Sequence, residues 1–174
     1  MHVIQYIATI ADSPEQAHSN VKHYLEAQMD SEVDSYNTWY DWFVVGGGRW
    51  ASNNEPYDDS FTGDVVRQSD PKFEEYLDLA HKYRQDELSI YETEARKLNL
   101  TELLDDLQDF EFDHFGVGSK LYPINQIYQM CMGTWNYNSY FFDIEHDSTN
   151  RKYMRETIDN GTNNWYLVPV DFHF

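Results

Sequence analysis

The first ten residues carry the strongest constraint on the fold. Between His2 and Ile10, one set of alternate positions holds Ile4, Tyr6, Ala8 and Ile10, and the other holds Val3 and Ile7. An extended chain places alternate side chains on opposite faces, so this segment reads as a strand that can be covered on both sides. Ser13-Pro14-Glu15-Gln16 then opens a helix: Ser13 is placed to cap it, Pro14 takes the first helical position and Gln16 can close a capping box. Ala17, Val21, Tyr24, Leu25 and Gln28 continue its inner face. A second strand follows over Thr38 to Val45.

A strand, a capped amphipathic helix and a second strand is how a ferredoxin-like α+β sandwich begins. The expected fold is therefore a single α+β domain over residues 1–174, with an antiparallel sheet, helices on one face, and the first and last strands side by side. Asp70-Pro71 starts the longest helix, and Thr101 caps a shorter one. Together, at about residues 70–113, they read as a helical insertion. Leu121 to Met132 fits either a helix or a strand. Tyr140 to Glu145 reads as a strand, Thr149 to Ile158 as a helix, and Trp165 to Phe174 as the closing strand, in which Pro169 predicts a sheet edge or a bulge. Pairing of that strand with the first would bring His2 near His173.

The chain has 31 acidic and 12 basic residues, a formal net charge of -19. Such a field repels phosphate backbones and argues against direct duplex DNA binding, leaving basic protein surfaces as the natural macromolecular partners. A chain with 17% aromatic residues has the material for a packed core. Cys131 is the single cysteine, so neither a disulfide framework nor a cysteine zinc site is available. It reads as a small buried residue. The polar N-terminal strand does not read as a signal peptide, and no apolar run reaches the roughly 18 residues of a membrane span. The expected setting is cytoplasmic.

Three groups of residues can carry function. The first is the aromatic and glycine-rich stretch with Trp39, Trp42, Gly46, Gly47, Gly48, Arg49 and Trp50. Exposed backbone N–H groups and a guanidinium held among tryptophans would suit a phosphate or carboxylate. The same pattern also describes a bulge whose glycines permit close backbone approach, with Arg49 paired to an acid such as Asp41. It has no nucleotide-binding fingerprint. The second group is Glu102, Asp105, Asp106, Asp109, Glu111 and Asp113, with no lysine or arginine between Lys97 and Lys120. This run, with Glu55, Asp58, Asp59 and Asp64, reads either as a solvated face or as a partner-binding surface imitating the phosphate rows of DNA. The third group is Asp113-His114 and Asp171 with His173, an acid–base or metal pair in principle. No metal-binding spacing accompanies it, and no cofactor is expected.

Trp39-Tyr40-Asp41-Trp42-Phe43-Val44-Val45-Gly46-Gly47-Gly48-Arg49-Trp50, with Val168-Pro169-Val170-Asp171-Phe172-His173 at the end, resembles a set of small proteins encoded by bacteriophages and prophages. Those proteins carry a DWxxxGGRW core and a terminal VDxH strand. Asp41, Trp42, Gly47, Gly48, Arg49, Trp50, Asp171 and His173 are the matching positions. This chain has one extra glycine and Phe172 before the histidine, and its middle helices have no counterpart. The resemblance implies a viral origin and a host-cytoplasm setting rather than a mechanism.

A protein of this kind, without a catalytic constellation, is expected to act by binding. One possibility is docking of its acidic surface on a basic host or anti-phage defence protein. The other is sequestration of a small anionic ligand, such as a signalling nucleotide, at Trp42, Arg49 and Trp50. A hydrolase built on Asp171 and His173 ranks third.

Overall fold

The structure, a computed structural model, describes residues 1–29, 38–99, 101, 120–161 and 164–174. Strand β1 (His2–Ile10) is followed by helix α1 (Pro14–Met29) and strand β2 (Trp42–Val45). A loop leads to the two-residue strand β3 (Val66–Arg67) and helix α2 (Pro71–Arg96). Helix α3 (Tyr122–Met132), strand β4 (Phe141–Asp143), helix α4 (Arg151–Asp159) and strand β5 (Trp165–His173) complete the described elements.

The helix starts follow the local chemistry. The Gln16 N–H donates to Ser13 Oγ at 3.2 Å, while the Gln16 side chain reaches back to the Asp12 N–H at 2.8 Å, one residue earlier than in a standard capping box. Asp70 caps α2 by accepting from the Lys72 N–H, with Pro71 just inside. Pro123 lies in the first turn of α3, where a missing N–H costs no helical bond, and this resolves the ambiguous segment in favour of a helix.

The α+β class is as expected, and the terminal strands are neighbours: β1 and β5 run antiparallel from His2 opposite His173 to Ile10 opposite Trp165. Two details differ from a ferredoxin-like sandwich. The sheet, ordered β2-β5-β1-β4, is mixed rather than antiparallel, because β4 lies parallel to β1. Its helices cover both faces rather than one. Val3 and Ile7 pack with Ala17, Val21 and Leu25 of α1 on the first face. On the second, Ile4, Tyr6 and Ala8 pack with Phe73, Leu77 and Ala80 of α2 and Met154 of α4. The physical reason is the two-sided apolar character of β1, whose residues Val3 to Ala8 are all buried. The N-terminal half of α2, expected in an insertion, is thus a core layer.

Pro169 occupies the middle of β5, which has partners on both sides and is no edge strand. Its carbonyl accepts from the Gly46 N–H at 2.9 Å, so its ring nitrogen faces the same side, toward β2 and β3. There β2 ends at Val45 opposite Val170, and β3 resumes only at Val66 opposite Leu167. The absent donor therefore falls where β2 ends and the chain turns away at Gly46, beyond the last paired residues of the ladder.

Candidate functional site

Three rings form a row across the end of the sheet. His2 of β1 lies opposite His173 of β5, which lies opposite Trp42 of β2. By alternation these residues project from the second face, together with Asp171 two positions back along β5. The His173 ring stacks on Trp42 with centroids 5.1 Å apart and planes 12° apart. His2 meets both edge-on, 5.1 Å from Trp42 and 4.8 Å from His173.

Each imidazole has its own carboxylate. His2 Nδ1 is 2.9 Å from Oδ1 of fully buried Asp171, and His173 Nδ1 is 2.6 Å from Oδ1 of exposed Asp41. The hydrogen bond with His173 holds the Asp41 carboxyl below the usual aspartate range. The sequence expectation paired Asp171 with His173. They do share a face, but each is matched to a residue on a neighbouring strand. With Nδ1 held by a carboxylate, each imidazole is oriented, and the Nε2 of His173 lies 3.5 Å from the N-terminal amine of Met1. Among the described residues no group of three His, Cys, Asp or Glu side chains is arranged to hold a metal ion.

The glycine run wraps around Asp171. Gly46, Gly47 and Gly48 are buried and all have positive φ, at 98°, 102° and 50°. Gly46 passes so close to Phe61 that an added Cβ would lie 2.3 Å from its carbonyl oxygen. Gly48 opens a 3₁₀ turn (Gly48–Trp50), and the Arg49 N–H donates to Asp171 Oδ2 at 3.1 Å. The anion held by this backbone is thus the protein's own carboxylate, which joins the turn to His2 through its other oxygen.

The aromatic residues expected around Arg49 separate into two environments. Trp39 packs into the first core against Tyr40, Trp135 and Phe172, so it belongs to the interior. Trp50 is 46% exposed, and Arg49 is exposed as well. Among the described residues the Arg49 side chain has no hydrogen bond, ion pair or ring contact, so neither stacking between tryptophans nor a bond to Asp41 holds it.

Glu102, Asp105, Asp106, Asp109, Glu111, Asp113 and His114 lie outside the described residues. Three of the loop acids grouped with them have local bonds. Asp64 is buried and accepts from the Ser52 N–H, Asp59 pairs with Lys22 at 2.7 Å, and Asp58 accepts from Ser60. Cys131, expected to be buried, is exposed.

Sequence reasoning missed another carboxylate–imidazole pair, Asp143 with His146, at 2.7 Å. Burial raises the Asp143 pKa despite that bond. The available signal was an Asp three residues before a His at the end of a predicted strand.

No family model matches the chain, nor does any curated protein or solved structure.

Proposed function

We propose that the protein works by binding: a phage-encoded acidic protein that occupies a basic surface of a host or anti-phage defence protein and inhibits it. A net charge of -19 would speed encounter with a basic partner and make association salt-sensitive. The observation that carries the binding reading, as distinct from the charge of the partner, is the Arg49–Trp50 turn. Its backbone is fixed by buried Asp171 while both side chains stand in solvent. A rigid turn presenting an arginine and a tryptophan has the composition of interface hot spots, and its pre-organisation lowers the entropy lost on docking.

A second reading, capture of a small anionic ligand at Trp42, Arg49 and Trp50, is favoured by the absence of any partner for Arg49 among the described residues. One experiment separates the two. The purified protein is used to capture partners from host lysate at low and high salt, and bound proteins and heat-released small molecules are identified by mass spectrometry. A protein partner lost at high salt and in Trp50→Ala supports inhibition by docking. A released anion lost in Arg49→Ala supports sequestration. Recovery of neither, at either salt, would overturn both.

A further inference from the structure

A cleft is lined by residues between Ala80 and Tyr153, none of them in the Arg49 turn. It has a volume of about 860 Å³ and is formed by α2, α3 and the segment that joins β4 to α4. Its lining holds Arg84 and Arg151 together with His81, His146 and one carboxylate, Asp147, and the His146 ring is already bonded to Asp143. In a chain of net charge -19, a lining with two arginines and one aspartate is locally positive.

The two arginines are held in place without being neutralised. Arg84 Nη2 donates to the Met130 carbonyl at 2.5 Å and Arg151 Nη1 to the Leu77 carbonyl at 2.9 Å. Neither forms an ion pair among the described residues. The charges of Asp78 and Glu74 both reach Arg151 without an ion pair, and Glu74 is already held by Arg155 through both carboxylate oxygens. A guanidinium has five N–H donors, so each retains several after its backbone bond. Burial lowers the pKa of both, and the charge of Arg151 adds to the effect at Arg84, as expected for two like charges facing one space. Each would be relieved by an anion between them.

We infer that this cleft binds a phosphate-bearing small molecule of nucleotide size, with the phosphate between Arg84 and Arg151. Two fixed guanidiniums match the charge and the several oxygens of a phosphate better than those of a single carboxylate. The volume is that of a cofactor or nucleotide pocket and far exceeds what inorganic phosphate alone would fill. Tyr153, 49% exposed on the wall, and the His146 ring offer flat surfaces for the rest of the ligand. This site is separate from the Arg49 turn and stands whether or not that turn binds a partner.

The test is titration of the full chain with inorganic phosphate, adenosine monophosphate and adenosine at constant ionic strength, followed by calorimetry and by amide chemical shifts. Saturable binding of the monophosphate is expected, weaker binding of phosphate, and none of adenosine, with shifts centred on residues 81–84 and 146–153. Arg84→Gln and Arg151→Gln should each weaken binding by about 10-fold or more, the loss of one charge-assisted bond. Arg84→Lys should recover part of it, and Arg49→Ala should change nothing. The inference is overturned if neither phosphate nor the monophosphate binds, if adenosine binds as well as its monophosphate, or if binding survives in the double Gln variant. Wild-type shifts centred on Arg49 instead of the cleft would also overturn it, and that measurement needs no variant to fold.

Discussion

The side chain of Asp171 occupies the space that a Cβ on Gly48 would enter. Such an atom would lie 2.4 Å from Asp171 Cβ and 2.6 Å from Oδ2. Gly48 also has φ of 50°, in the left-handed region. Gly48→Ala should therefore combine backbone strain with a collision against a fully buried residue, costing about 3 kcal/mol in urea unfolding. An unchanged midpoint would show that the turn is free to shift away from β5.

Arg49→Ala and Trp50→Ala predict the opposite pattern. Both side chains stand in solvent, so stability should change by no more than about 0.5 kcal/mol. Affinity for the captured partner should fall about 30-fold or more in at least one of them, as for a hot-spot residue. Equal binding by wild type and both variants would remove the turn from the interface.

Gln5 is fully buried on the first face, and both ends of its amide are bonded, Nε2 to the Asn136 carbonyl at 2.7 Å and Oε1 to Trp135 Nε1–H at 2.7 Å. Gln5→Leu would strand a buried carbonyl and an indole N–H. We expect a loss of about 2 kcal/mol, read by thermal or chemical unfolding. A neutral result would mean that water reaches both groups.

His18 supplies a pH dependence. Its Nε2 is buried without a partner, and burial lowers its pKa below 6.5. The unfolded chain gains a proton near that value while the folded chain does not. Stability should fall as pH drops from about 7 through the ordinary histidine range and level off below the folded pKa. Urea midpoints for wild type and His18→Leu at several pH values isolate this contribution. The wild type should lose stability relative to His18→Leu as pH falls, because it alone bears the cost of His18, and a pH-independent difference would contradict this.

Local signals were the most legible part of the sequence. Ser13 with Pro14, and Asp70 with Pro71, set their helix starts through chemistry confined to a few residues. The pairing of His2 with His173 followed once the terminal strands were taken as neighbours. Long-range partner choice was less accessible. Asp41, Trp42, Arg49, Asp171 and His173 were all singled out, yet Asp171 bonds His2 and the Arg49 amide while His173 bonds Asp41. Register and the path of the glycine turn decide that arrangement. Composition fixes neither. Gln5 shows the same limit: a polar residue in an apolar strand gives no hint that Trp135 and Asn136 will satisfy it. The two-sided apolar pattern of β1 did point to helices on both faces, and the ferredoxin-like expectation underused it.

The break opposite Pro169 makes β2 and β3 two pieces of one edge, since both pair antiparallel with β5 and only the loop between them leaves the sheet. The proline relieves the sheet of any demand for an unbroken edge, so β1 and β5 can keep their register while the exposed stretch around Glu55, Tyr57 and Ser60 changes. Ala51, Phe61 and Asp64 tie the ends of that loop to the body of the protein, so variation in what the molecule displays is confined to the tip between them.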